Sequence, residues 1–153
     1  MQERKPIKRK IELQSFSKEH HHSFLLCWKI RTGLKEGISP MRIKKYVDWF
    51  YDLYVLPHFK AEETLIFPIL GKDNELIKKA LADHRRLTRL FVSKKDIRKT
   101  LSLLEEELDR HIRFEERILF QKIQDIATSK ELQLIHESHL ESKFDESFED
   151  EFW

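Results

Sequence analysis

A motif with a histidine and a glutamate four residues apart occurs twice in this chain, within two segments of similar sequence. The first segment reads HFKAEETLIFPIL from His58 to Leu70, and the second reads HIRFEERILFQKI from His111 to Ile123. Side chains at positions i and i+4 lie on one face of an α-helix, one turn apart. Each copy therefore presents an imidazole and a carboxylate together, and iron is among the metals that accept these ligand types. The doubled motif predicts a metal site.

Length and composition restrict the class of protein. A chain of 153 residues with three Gly and four Pro suits one domain, residues 1–153, built from long elements with few turns. Its net charge of +2 gives no case for nucleic acid, and no apolar run approaches the length of a membrane span. The single cysteine, Cys27, excludes an intrachain disulfide framework and fits a reducing compartment. We expect a soluble, cytoplasmic protein.

Apolar residues recur at spacings of three and four along most of the chain, which predicts an all-α protein. Four such stripes are separated by turn signals at Gly37 to Pro40, at Gly71 to Asn74 and at Ser93 to Asp96. Pro57 falls inside the second stripe, where it predicts a kink or bulge. Together the stripes indicate an up-down-up-down four-helix bundle over about residues 12–127, followed by a short helical tail over about 128–153. We expect the second stripe to bury Leu65 and Ile69 and the fourth to bury Ile118.

Each stripe is interrupted at one level by polar residues. His20 interrupts the first stripe, His58 and Glu62 the second, His84 the third, and His111 and Glu115 the fourth. In an antiparallel pair of helices, residues equidistant from the turn stand side by side. The midpoints between successive interruptions fall on Ser39-Pro40, on residues 71–73 and near residues 98–99. The first two coincide with predicted turns and the third lies about one helical turn beyond one, so the six side chains are expected in one layer.

Two buried carboxylates in one layer would repel each other without a cation between them. Six nitrogen and oxygen donors exceed the set of one structural zinc ion, which takes four ligands and often uses cysteine. They suit two metals, with each carboxylate able to bridge both. The ferritin-like alternative needs Glu-x-x-His on two helices, and that spacing occurs only at Glu19 to His22.

The order and spacing of these residues resemble those of the hemerythrin-like (HHE cation-binding) domain over about residues 12–127. The resemblance implies an oxo- or hydroxo-bridged centre of two iron ions. His20, His58, His84 and His111 would be terminal ligands, and Glu62 and Glu115 would be bridges. Oxygen-carrying members have a second histidine one turn after the third-helix histidine, where this chain has Thr88. This departure places the chain with the regulatory and iron–sulfur-repair branches and predicts an open coordination position.

These features predict a di-iron protein that binds oxygen or a related small ligand, nitric oxide or peroxide, as a sensor, scavenger or store. The alternative is an enzyme, namely a di-iron peroxidase or oxidase, or an iron donor for iron–sulfur cluster repair. A third hypothesis, a structural bundle with an adventitious metal, does not explain the paired carboxylates. Phe144, Phe148 and Phe152 recur every four residues in an acidic segment. They predict an amphipathic helix that folds back on the bundle, or else docks on a protein partner or forms a homodimer.

Other residues near these motifs receive expectations of their own. His21 and His22 point away from His20 on a helix and are expected outside the ligand set. Glu63 and Glu116 are expected to support the ligands or face solvent. Tyr54 is expected to pack, or else to line the site, and Cys27 to be a small core residue. His136 and His139 are expected at the surface.

Overall fold

A computed structural model describes residues 8–139, 144–145 and 147–153, and these contain helices and no strand. The first arm of the bundle is a 3-10 turn, Ile11–Leu13, followed by helix α1, Gln14–Lys35. The second arm comprises α2 (Pro40–Phe50), a π-helical turn (Tyr51–Val55), α3 (Leu56–Ala61), another π-helical turn (Glu62–Ile66) and a 3-10 turn (Phe67–Ile69). The third arm is α4, Glu75–Val92. The fourth comprises α5 (Ile97–Phe114), a π-helical turn (Glu115–Leu119) and α6 (Phe120–Ile126).

These arms confirm the predicted all-α, up-down-up-down bundle. Helix α1 packs against α2 and α5, and α4 packs against the same two helices. The turns lie where the sequence signals indicated. Pro40 is the first residue of α2, and the Asn74 side chain accepts a hydrogen bond of 2.9 Å from the Leu76 N–H at the start of α4. None of the helices in the described ranges is long and apolar enough to span a bilayer.

The bulge predicted near Pro57 is confirmed, because the π-helical turn Tyr51–Val55 ends two residues before it. Proline has no N–H for the helical ladder, and its ring crowds the carbonyl one turn earlier. A wider turn at this point lets the second arm continue through the proline. His58 follows directly and remains inside the bundle, 6% exposed.

The π-helical turns also change which residues face inward, so part of the predicted core is wrong. In the fourth arm Ile118 is 52% exposed, whereas the next residue, Leu119, is fully buried. The second arm repeats the pattern, since Ile66 is fully buried and Leu65 and Ile69 are only half-buried. A π-helical turn holds one residue more than an α-helical turn, so the inward face moves along by about one position.

The buried residues form two apolar clusters, one towards each end of the bundle. The first contains Leu26, Phe50 and Leu104 and lies near the turns after α1 and α4. The second contains Phe16, Phe67 and Phe120 and lies near the turn after the second arm. The polar layer predicted from the sequence lies between them. Its surroundings on both sides along the bundle are therefore apolar.

The tail differs from the predicted aromatic helix. A helix does form, α7 at Ser129–Ser138, with a reciprocal cap between Thr128 and Glu131. The described residues from Phe144 onward are not helical, yet they pack on the bundle. Phe152 is buried against Gly33 so closely that an added Cβ would lie 2.9 Å from its ring. The described residues from Phe144 onward therefore fold back on the bundle, as expected, but as irregular chain.

Candidate metal centre

Both copies of the His-x-x-x-Glu motif span the junction between an α-helix and a π-helical turn. His58 lies in α3, and Glu62 is the first residue of the turn that follows. His111 lies in α5, and Glu115 is the first residue of its turn. Wide turns of this kind often occur at functional sites. Here the repeated sequence produces the same local structure twice, in arms that lie on different sides of the bundle.

The structure brings all six predicted side chains into one buried layer. His20 comes from α1 and His84 from α4, between the two copies of the motif. The two glutamates are fully buried, and the exposed fractions of the histidines range from 2% for His20 to 6% for His58. Ionised carboxylates are rarely buried to this degree unless they are paired with cations or bind a metal.

Each buried carboxylate contacts at least two histidines, one from the first or second arm and one from the third or fourth. Glu62 Oε1 lies 3.2 Å from His58 Nε2 and 3.3 Å from His84 Nε2. Glu115 Oε1 lies 3.1 Å from both His20 Nε2 and His111 Nε2. The six residues form two groups of four whose donor atoms lie within 4.8 Å of one another. We name the first position His20, His58, Glu62 and Glu115, and the second position Glu62, His84, His111 and Glu115.

Most of these converging atoms lie within ion-pair distance of one another but are not aligned for hydrogen bonds. In the described part of the chain, hydrogen-bond partners are lacking for both oxygens of Glu62, for Glu115 Oε2 and for the Nε2 atoms of His58, His84 and His111. Buried polar atoms are normally hydrogen-bonded, because an unpaired one costs about 1–3 kcal/mol. Several such atoms facing a common centre could hold a cation, and the imidazole and carboxylate types fit a transition metal.

The other ring nitrogen of each histidine bonds to a second carboxylate, so four outer carboxylates surround the layer. Each outer carboxylate lies on the arm before that of its histidine, and the fourth arm supplies the carboxylate for the first. The contacts therefore run once around the bundle. The Nδ1 atoms of the histidines lie near Glu116 (His20, 3.2 Å), Glu19 (His58, 2.7 Å), Glu63 (His84, 3.3 Å) and Asp83 (His111, 2.9 Å). A proton on Nδ1 that is donated to such a carboxylate leaves Nε2 free to bind a metal.

The electrostatics of the layer favour cations. Burial disfavours the imidazolium form of each histidine, but the surrounding carboxylates outweigh it. The pKa of His58 is raised to about 9 and that of His84 to about 10, and the pKa values of His20 and His111 are raised as well. Burial acts to raise the pKa of Glu62, yet the nearby histidines lower it well below its usual range. Positive charge in the form of protons or metal ions is stabilised here.

Aromatic rings enclose the layer along the bundle axis. Phe59 stacks on the His84 ring at 3.9 Å, and Phe120 stacks on the His20 ring at 5.3 Å. Phe67, which occupies the position of Phe120 in the other copy of the repeat, lies 5.3 Å from His84. An apolar shell of this kind restricts water and strengthens electrostatic interactions inside it.

Among the outer carboxylates, Glu63 and Glu116 take the supporting position expected for them, but no role had been predicted for Glu19 and Asp83. The sequence does carry a signal for all four, because each is the immediate neighbour of one of the six layer residues. The expectation for His139 was wrong. This residue is half-buried, and its Nε2 lies 3.1 Å from both carboxylate oxygens of Glu19. Contacts of this kind depend on which helices are adjacent, and one sequence does not reveal that.

The remaining residues near the motifs lie outside the layer. His21 is exposed, and His22 stacks on Phe144 of the tail at 4.0 Å. The Tyr54 hydroxyl faces the tail as well, where it bonds to the backbone of Asp145 at 3.1 Å. Cys27 is fully buried in the first apolar cluster. The burial of Cys27 agrees with its expected place in the core, and His21 and His22 lie apart from the six residues of the layer.

Comparison with known families supports the same interpretation. A family model for the hemerythrin HHE cation binding domain matches residues 13–123, which is most of the bundle. Curated proteins and solved structures gave no significant match. The matched range contains all six residues of the layer, and α7 with the tail follows it. On the strength of this match the chain belongs to the hemerythrin HHE cation-binding domain family.

Proposed function

We propose that this protein holds two iron ions and binds oxygen or a related small ligand, nitric oxide or peroxide, as a sensor, scavenger or store. In this proposal His20 and His58 hold one iron, His84 and His111 hold the other, and Glu62 and Glu115 bridge them. An iron pair bound in this way supplies redox chemistry and a place for a small ligand to bind.

One observation carries the proposal, namely that the two four-residue groups share both of their carboxylates. Two independent sites would each need a carboxylate of its own. Two shared carboxylates, fully buried and each facing histidines of both groups, favour a pair of ions bridged by both. One ion at the centre would leave part of this donor set buried and unsatisfied, at a cost of about 1–3 kcal/mol for each atom.

The donor types favour iron over structural zinc. Structural zinc sites are four-coordinate and commonly include thiolate, but Cys27 is buried among apolar residues of the first cluster. Each position here offers two imidazoles and two shared carboxylates. Iron accepts this mixture and takes more ligands than four, so coordination positions remain for an exogenous ligand.

Thr88 supports ligand binding with electron transfer rather than reversible oxygen carriage. It follows His84 by one turn of α4, is half-buried, and stands where the oxygen-carrying relatives have a histidine. Threonine at this point adds no imidazole, which favours an open position on the iron held by His84 and His111. Small anions such as azide should then bind readily.

Metal analysis combined with optical spectroscopy tests this function. Protein purified in air should contain about two irons per chain and show an absorption spectrum that changes on reduction and on adding azide. Glu62→Ala and Glu115→Ala should each lose both irons, because each removes a bridge. The matched control, His21→Ala, changes an exposed histidine next to a proposed ligand and should retain both irons. A single zinc ion per chain would contradict the proposal.

The proposed role of Thr88 has its own test. Thr88→His should place an imidazole four residues after His84 on the same face of α4. The variant should then bind azide more weakly than the wild type, and its reduced form should be oxidised more slowly by oxygenated buffer in stopped-flow mixing. Equal azide affinity and equal oxidation rates in the two proteins would show that position 88 does not control access to the iron.

A further inference from the structure

The two metal positions differ in the exposure of the outer carboxylates that contact their histidines. The histidines themselves are alike, since all four are nearly fully buried. The outer carboxylates of the first position, Glu19 and Glu116, have side chains that are 13% and 18% exposed. Those of the second position, Asp83 and Glu63, are 27% and 41% exposed. The outer contacts of the second position are therefore more open to water.

Segments on either side of the matched family range account for this difference. Arg9, whose side chain is 8% exposed, donates to the Glu116 carboxylate at 2.9 Å. His139 contacts both oxygens of Glu19, and its ring stacks on Phe16 at 4.0 Å. Both residues lie outside residues 13–123. Contacts from two other segments, one by a buried and one by a half-buried side chain, thus hold the outer carboxylates of the first position.

Among the residues that the structure describes, none from another segment, His111 aside, makes an equivalent contact with Asp83 of the second position. The cation next to Asp83 is Lys79, one turn earlier in the same helix, at 2.8 Å. The Lys79 side chain is 50% exposed. Water and salt screen such a pair, and exposed pairs of this type contribute only about 0–1 kcal/mol. His111 is therefore oriented by a carboxylate that is itself weakly held.

The cavity next to the first position is smaller than the cavity next to the second. On the side of the first position, Phe144 of the tail, with Tyr54 and His22, leaves about 10 Å³ beside Glu19, which is room for roughly one water. On the side of the second position, a cleft of about 120 Å³ between α4 and α5 is lined by Asp83 and by His111 itself. The cleft therefore brings water to the outer carboxylate of the second position and to the edge of the His111 site, although the His111 ring itself is nearly fully buried.

We propose that the two metal positions are unequal: the ion held by His84 and His111 exchanges readily beside the cleft, while His139 and Arg9 hold the ion at His20 and His58 in place. The proposal rests on the two-metal function above. Outer-shell partners fix the orientation and basicity of a histidine ligand, and losing one typically weakens metal binding about 10–100-fold. His139 is a positioning residue in this scheme, since it acts on His58 through Glu19.

Chelator competition on the iron-loaded full chain tests the inequality. Mixed with an excess of a chromogenic iron chelator, the wild type should release its metal in two phases of equal amplitude. His139→Phe keeps a ring on Phe16 but removes the donor, and it should speed the slow phase about tenfold while leaving the fast phase unchanged. Asp83→Ala should speed the fast phase alone. His139→Gln restores a donor and should return the slow phase towards the wild-type rate.

The control is His136→Ala, which changes an exposed histidine of α7, the helix that ends just before His139, and it should behave as the wild type. A single release phase from a wild type that carries two irons would overturn the inequality and leave the proposed function intact. Equal acceleration of both phases in His139→Phe would also overturn it. A wild type that cannot be loaded with a metal pair would refute the proposed function, and this inference with it.

Discussion

At the scale of single residues, the buried carboxylates of the layer stabilise positive charge, whether protons or a metal ion carry it. In the metal-free protein the carboxylates raise the pKa of His58 to about 9 and that of His84 to about 10. Metal and proton compete for the same imidazoles, so metal binding should release protons at neutral pH. Their raised pKa values also determine how the stability of the metal-free protein depends on pH.

We expect the metal-free protein to lose stability as the pH rises from 7 to 10. A histidine with a raised pKa in the folded state stabilises that state fully below its unfolded value, near 6.5, and this contribution disappears as the pH passes through the folded value. Urea denaturation across this range should show a loss of a few kcal/mol at most. His84→Gln should flatten the profile, as should bound metal. A metal-free wild type that gains stability towards pH 10 would contradict the assignment.

At the scale of elements, the π-helical turns determine which side chains are buried next to the polar layer. Ile118 and Leu119 are adjacent, similar in size and opposite in exposure. An unbroken α-helix would have placed Ile118 inward, as the sequence pattern indicated. The turn at Glu115–Leu119 moves Leu119 inward instead and aims Glu115 into the layer.

The adjacent pair supplies a test of this register. Leu119→Ala should lower the free energy of unfolding by about 2–4 kcal/mol, because it opens a cavity in the second apolar cluster. Ile118→Ala, at a site already half-exposed, should lower it by less than about 1 kcal/mol. Denaturant titrations of the metal-free variants give both values without interference from metal loss. The reverse order of effects would mean that the helix continues without the wide turn.

At the scale of the whole molecule, two apolar clusters on either side of the polar layer make folding and metal binding separable. A metal present at about a thousand times its dissociation constant adds about 4 kcal/mol to stability. For a domain of this length that corresponds to about 10 °C in Tm. Helix formation in the arms does not depend on this term, since the two clusters contain nearly all of the buried apolar residues described.

Removal of the metal should therefore lower the Tm by about 10 °C while the far-ultraviolet circular dichroism stays close to that of the loaded protein. Calorimetry before and after chelation under reducing conditions gives the first quantity, with metal analysis to verify removal. Re-addition of iron should restore the Tm. An unchanged Tm after verified removal would indicate that the bound metal lies somewhere other than this buried layer.

Local sequence was sufficient for the bundle and for its polar layer. Apolar periodicity predicted four arms, proline and glycine marked their ends, and the doubled His-x-x-x-Glu motif placed His58, Glu62, His111 and Glu115 at matching levels. These features depend on spacings of a few residues, which the backbone geometry of a helix converts directly into shared faces. For the same reason the turn positions and the bulge before Pro57 could be predicted.

Tertiary structure decided the surroundings of the layer. Leu119 rather than Ile118 is buried because of the π-helical turn Glu115–Leu119, which no local sequence pattern predicted. The contacts of His139 with Glu19 and of Arg9 with Glu116 join residues about a hundred positions apart. Such contacts depend on how helices pack and how the tail returns, and many sequence-distant pairings are compatible with the same periodicity. The difference in outer contacts between the two groups of four residues therefore exists only in the folded molecule.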